Sequence, residues 1–272
     1  MQLKKDLIAS IRDKCSENLS AKVQRFVKTP VRDTKYPPKA PPFSVAVLEN
    51  GTVGFSYNLF YRDDEAMERY LAWDTTEITN RPVDEIISWL LSEDTLKKTA
   101  GLAVLNALSQ DFLINNPGAY RLDTESDLSD LLQLDKSTRL GVVGFFGPMM
   151  NMMMEKAGEL NVVELSGTLP QGSYPFPISD NPETLRGCDK VLVTATSVLN
   201  DTLPHVMPHC TDAAFVAMMG PTAGFLPDTV FALGIDAVGF TRVTDLDLFL
   251  ERFTSGGKWG EATTKMWAMP VA

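Results

Sequence analysis

Three short runs in this chain combine glycine with hydroxyl or amide side chains, the composition of a turn that holds a small ligand. They are Val143-Gly144-Phe145-Phe146-Gly147-Pro148-Met149, Thr194-Ala195-Thr196-Ser197-Val198-Leu199-Asn200-Asp201-Thr202, and Met218-Met219-Gly220-Pro221-Thr222-Ala223-Gly224. The first resembles a dinucleotide- or adenosyl-binding turn without the full three-glycine spacing, and Glu164, about twenty residues on, stands where a carboxylate can accept both hydroxyls of a ribose. A surface glutamate after a strand explains Glu164 equally well. In the second run, helix capping accounts for some of the hydroxyls. A ligand phosphate, carboxylate or hydroxyl would meet the remaining donors, helped by the helix dipole. In the third, Gly220 permits close backbone approach and Pro221 stiffens the turn beside Thr222.

Other constellations are weaker. His205 and His209 have the i, i+4 spacing of a metal pair, but Pro204 and Pro208 disturb that helix, and both histidines read as structural. Met149, Met150, Met152, Met153 and Met154 could offer thioethers to a soft metal, yet methionine in the first helix of such a domain more often fills a core. Neither a Ser-His-Asp order, a phosphate-cradling Walker loop nor a zinc cluster is present, so hydrolase and kinase readings lack support.

The elements that must position these runs follow from periodicity. Apolar residues from Leu7 to Phe26 recur at helical spacing and predict one amphipathic helix over 4–27. The segment Tyr36-Pro37-Pro38-Lys39-Ala40-Pro41-Pro42 reads as a linker. Phe43–Leu48 and Val53–Phe60 form a hairpin across Glu49-Asn50-Gly51-Thr52, the Asn-Gly pair supplying positive φ. Tyr61 to Asp74 is a flap or a short helix, and Val83–Leu91 and Thr95–Leu108 are helices, the second with a small-residue face. Asn115-Asn116-Pro117-Gly118 breaks the chain, and Asp123 to Asp135 suggests a short connecting helix. Strands then alternate with helices: 140–146, 161–165, 191–194, 213–218 and 236–240. Being continuously apolar, they predict a doubly wound parallel sheet, Rossmann-like, covered on both faces. The expected class is therefore α/β, with a smaller α+β domain over 1–122 preceding a Rossmann-like domain over 123–272.

Composition narrows the partners. At 272 residues with 44% hydrophobic content, two domains with real cores are expected. A formal charge of -10 repels nucleic acid and anionic lipid. No apolar leader or membrane-length run is present, and the three scattered cysteines suit a reducing compartment, so a cytoplasmic location is expected. A homodimer is expected on base rates alone.

The chain also resembles a family of prokaryotic two-domain proteins labelled "putative heavy-metal chelation". The resemblance rests on the strand pair with Gly54, on Ala100-Gly101-Leu102-Ala103-Val104-Leu105-Asn106-Ala107-Leu108, on Val143-Gly144-Phe145-Phe146, on Thr194 to Leu203, on Gly220-Pro221-Thr222 and on Arg242-Val243-Thr244-Asp245. The chain departs from the family at Ala195 and Asp201, where glycine is usual, and in a longer aromatic and acidic stretch from Tyr61 to Thr76. The resemblance implies an enolase-N-terminal-like domain packed on a Rossmann-like one, with Asn106, Asn200, Thr202 and Gly220 around one cleft between them. On that basis Asn200, Asp201 and Asn106 are the catalytic candidates. Gly144, Phe145, Phe146, Gly147, Glu164, Thr194, Thr196, Ser197, Thr202, Gly220, Pro221 and Thr222 are the candidates for ligand binding. The expected ligand is adenosyl-type, S-adenosylmethionine ahead of NAD, because a sulfonium needs no phosphate cradle and suits carboxylates and aromatic rings. The alternative is a metal ion or a metal-chelating metabolite, as the family label implies.

Overall fold

The computed structural model describes residues 1–30, 43–61, 63–164 and 173–271. The proline-rich linker expected at 36–42 lies outside the described residues.

The first helix, Gln2–Lys14, is shorter than its periodicity suggests, because Cys15 ends it and residues Val23–Val27 form strand β1. The register of β1 against β2 (Phe43–Leu48) shifts between Val23 and Arg25, a β-bulge. One extra residue turns Val23 and Phe26 inward together, so a strand acquires the i, i+3 spacing of a helix.

The hairpin of β2 and β3 (Val53–Tyr57) forms as expected. Only Gly51 takes a positive φ, +84°. Asn50 contributes through its side chain instead: Oδ1 accepts from the Thr52 amide at 3.1 Å, and Nδ2 donates to Asp111 Oδ1 at 2.7 Å. Every residue of β2 is buried. A helix covers one face of the hairpin, and rings from the second domain cover the other, with Phe55 5.4 Å from Phe249. The stretch from Tyr61 to Asp74 contains the helix Asp64–Ala72, capped by the Asp63 carboxylate on the Ala66 amide.

The covering helix is Thr95–Asn115, started by Asp94, whose carboxylate accepts from the Leu96 and Lys97 amides. It is buried almost all round between Thr99 and Asp111, so it runs through the middle of the molecule. Glycines set how close it lies. A Cβ on Gly54 of β3 would stand 2.1 Å from both Ala103 O and Ala107 N, and one on Gly101 would stand 2.4 Å from Leu90 N.

The second sheet has eight strands: β4 (Arg121–Asp123), β5 (Arg139–Val143), β6 (Glu159–Val163), β7 (Ile178–Ser179), β8 (Lys190–Thr194), β9 (Phe215–Met219), β10 (Ala237–Val243) and β11 (Thr263–Met269). Their spatial order is β4-β11-β10-β9-β8-β5-β6-β7. From β7 to β10 all pairs are parallel, and the order reverses between β5 and β8, the doubly wound Rossmann arrangement. β11 runs antiparallel to β10, and β4 antiparallel to β11. The sequence pattern showed neither of these two nor the two-residue β7, since each is short or partly polar. No helix among the described residues is long and apolar enough to cross a membrane.

Candidate functional site

Ligands of doubly wound sheets bind beyond the carboxyl ends of the strands, at the point where strand order reverses. Here that point lies between β5 and β8. Gly144, just past β5, has φ +95°, and a Cβ there would stand 2.7 Å from Thr194 Cγ2 at the end of β8. The two strand ends therefore touch through a position only glycine fills without strain. The neighbouring tip joins them: Ala195 N donates to Met219 O at 3.0 Å, and Gly220, with φ +141°, would place a Cβ 3.6 Å from Ala195 Cβ. The loop tips after the first, third and fourth predicted strands are thus contiguous.

Within this edge the candidate side chains divide by what already holds them. Thr194 Oγ1 and Thr196 Oγ1 lie 3.0 Å apart, both half-buried. Phe145 and Phe146 are half-buried, and Gly147 is exposed at the start of the helix Gly147–Lys156. Glu164, at the end of β6, accepts the Phe145 amide on Oε2 at 2.8 Å and so fastens the turn after β5. Asn200 Oδ1 accepts from the Thr202 amide at 3.2 Å and from Thr202 Oγ1 at 2.7 Å. Pro221 opens a short 3-10 turn, Pro221–Ala223.

Three candidates are structural. Ser197 is fully buried, and its hydroxyl donates to Thr194 O at 2.7 Å. Thr222 is 1% exposed, and its Oγ1 accepts from the Tyr57 amide at 3.1 Å. Asn106 is 0% exposed; its Nδ2 donates to Phe55 O at 2.7 Å and to Thr222 O at 2.8 Å, and its Oδ1 has no partner. A side chain sealed in this way cannot touch substrate. Asn106 joins the central helix, the hairpin and the tip after β9, so in this structure it acts as a clamp.

Asp201 is held by the first helix. It takes a left-handed conformation, φ +62°, and its Oδ2 accepts from Lys4 Nζ at 2.6 Å. Lys4 is 2% exposed and donates to Leu199 O at 2.8 Å as well. Burial pushes the Lys4 ammonium's pKa down, against the pull of Asp201. Burial alone would raise the Asp201 carboxyl, but hydrogen bonding and charge from Lys4 outweigh it and hold it below the usual range. This carboxylate anchors the first helix to the second domain. Sequence reasoning missed Lys4, whose only signal is a lysine on the apolar face of an amphipathic helix.

A metal finds little to bind. Cys15, Cys188 and Cys210 are buried free thiols, and burial pushes those of Cys15 and Cys210 up to about 12. His209 Nδ1 lies 3.3 Å from Glu183 Oε1, while His205 is exposed. No group of three or more His, Cys, Asp or Glu side chains placed to hold a metal exists among the described residues. Met150 and Met153 are buried against Leu140 and Val142, filling core as expected. The described donors do not fit a dedicated heavy-metal centre.

Two family models, both described as "Putative heavy-metal chelation", match the chain, one over residues 127–272 and the other over residues 40–109. An uncharacterized protein of Methanocaldococcus jannaschii is 29% identical over 200 residues, covering 71% of this chain and 73% of that protein. A crystal structure from Pyrococcus horikoshii, of a protein of unknown function, is 21% identical with a TM-score of 0.70, covering 97% of this chain and 100% of its own. One from Desulfitobacterium hafniense, also of unknown function, is 20% identical with a TM-score of 0.71, covering 96% and 98%. These structures share the fold. With the two-domain α/β architecture and both model matches in place, the chain belongs to the family described as putative heavy-metal chelation.

Proposed function

We propose that this protein serves metal handling through a small organic ligand, a metal-chelating metabolite or its precursor, held at the carboxyl edge of the parallel sheet. The observation that carries the reading is the contact of Gly144 with Thr194 at the strand-order reversal, which leaves the half-buried hydroxyls of Thr194 and Thr196 beside a backbone that approaches closely. An organic chelator supplies its own metal donors. A protein with buried, high-pKa thiols and no described cluster of ligating side chains then needs only to recognise the organic part. Thr194, Thr196 and Asn200 are the recognition groups, with the rings of Phe145 and Phe146 as an apolar wall.

The test is elemental analysis and small-molecule mass spectrometry on protein purified without a histidine tag. We expect an organic molecule to be released on denaturation, with any metal leaving alongside it. Stoichiometric metal retained by protein washed free of organic molecules would refute the reading.

An adenosyl ligand is the second reading, favoured by one observation: Glu164 directly follows β6, the place from which an acidic side chain in such folds accepts the ribose hydroxyls. Calorimetry with S-adenosylmethionine, S-adenosylhomocysteine and NAD tests it, and the absence of heat with all three at millimolar ligand removes it.

A further inference from the structure

A pocket of about 160 Å³ opens where the hairpin turn of the first domain meets the end of β10 in the second. Its lining includes Asn50, Thr52, Gln110 and Arg242. By volume it accommodates about five waters, or a molecule of a few carbons.

Two of these side chains carry polar atoms with no partner among the described residues. Arg242 is half-buried, yet its guanidinium makes no hydrogen bond or ion pair within the described residues. Gln110 is 3% exposed; its Nε2 donates to Gly224 O at 2.9 Å, and its Oε1 is buried with no partner. A buried acceptor left unpaired is unfavourable, as is an idle fork of donors in a half-dry pocket. The other polar walls do not supply what is missing. The Asn50 amide is occupied by Asp111 and Thr52, and Thr52 Oγ1 donates to Asn50 Oδ1 at 2.8 Å. The neighbouring carboxylate of Asp111 is also engaged, by amide donors from Asn18, Asn50 and Asn115. It is therefore not Arg242's counter-ion.

We propose that this seam is a second ligand site, for a small carboxylate that also carries a hydroxyl or ammonium group. The carboxylate meets the planar fork of Arg242, which suits two parallel hydrogen bonds. The hydroxyl or ammonium supplies the donor that Gln110 Oε1 lacks. The pocket is formed by both domains, so occupancy ties the hairpin to β10. This inference is independent of the function proposed above, because it uses none of the loop tips after β5 and β8.

The experiment is ligand titration of the full chain with glycolate, L-serine and acetate, followed by calorimetry or by chemical-shift changes. Glycolate or L-serine should bind saturably at millimolar concentration, and acetate, which has no donor for Gln110 Oε1, should bind several-fold more weakly. Arg242→Gln should weaken binding about tenfold or more, the loss expected for a hydrogen bond to a charged group. Its melting temperature should stay near that of the parent, since the Arg242 guanidinium holds no hydrogen-bond or ion-pair partner among the described residues. Arg242→Lys should fall between, keeping charge without the fork. Asn200→Ala should leave this binding unchanged even if it abolishes ligand binding at the other edge. The proposal is overturned if neither glycolate nor L-serine binds, if Arg242→Gln binds as tightly as the parent, or if Asn200→Ala removes the binding.

Discussion

Asn106→Asp replaces one atom and reverses one hydrogen-bonding role. The native Nδ2 donates to Phe55 O and Thr222 O from a fully buried position. An ionised carboxylate there would face two carbonyl oxygens with no donor between them. The variant therefore folds with the acid protonated, which raises its folded pKa well above the ordinary aspartate value of about 3.9. At pH 7.5, some 3.6 units higher, holding that proton costs about 5 kcal/mol. The protonated acid has one donor for two carbonyls, so one is orphaned at about 1–3 kcal/mol. The loss is then about 6–8 kcal/mol at pH 7.5, a large part of a domain's whole stability. An acid with a raised folded pKa destabilises above its unfolded pKa, and the penalty shrinks as pH falls towards that value. At pH 5.5 the same reasoning leaves about 3–5 kcal/mol. Both values lie above the sequence pI of about 4.8, so the protein remains net negative throughout. Urea unfolding of parent and variant at the two pH values measures the difference, and Asn106→Ala, which orphans the same carbonyls without a titrating group, should show no such change. An Asn106→Asp loss that is equal at both pH values, or below about 1 kcal/mol, would refute the clamp.

Three further outcomes follow from packing and burial. Gly54→Ala places a methyl group 2.1 Å from two backbone atoms of the central helix, which cannot swing aside as a side chain would, so a loss of at least about 3 kcal/mol in chemical denaturation is expected. Asp201→Asn strands the buried Lys4 ammonium and should cost about 1–2 kcal/mol, discounted because Asp201 is 40% exposed; adding Lys4→Met should recover part of that loss in the same assay. Native protein at pH 8 should resist Ellman's reagent at Cys15 and Cys210, whose thiols titrate near 12, and become reactive only on unfolding; rapid labelling of the native state would contradict their burial.

Five parallel strands, β5, β6, β8, β9 and β10, were legible because each carries a short apolar run between turn signals, whereas the two-residue β7 is too short to show one. The hairpin was legible from Asn50-Gly51, although the asparagine works through its side chain. β1 was not legible, because its bulge copies helical spacing into a strand. β11 and β4 were hidden for a different reason: the pairing of β11 with β10, and of β4 with β11, is a long-range choice that composition does not record. At the candidate site the glycine and hydroxyl turns could be recognised by residue type. The separation of clamps from contacts could not, since Asn106 and Ser197 look alike in sequence whether they face a ligand or a carbonyl. Only its place inside the apolar run over residues 100–108 hinted that Asn106 must have internal partners. Lys4, on the apolar face of the first helix, signals a buried partner, but nothing in the sequence identifies that partner as Asp201.

The position of β11 governs when the large sheet can be finished. Among the described residues β4 has β11 as its only neighbour, and β10 presents a bare edge until β11 arrives. Both gaps are closed by residues 263–269, which leave the ribosome after everything they must bridge. A nascent chain stalled before Thr263 thus carries an orphan strand on one side and an exposed, pairing-competent edge on the other, the type of surface that recruits chaperones or other stalled copies. The seven residues of β11, the last of the sheet in chain order, complete both pairings at once.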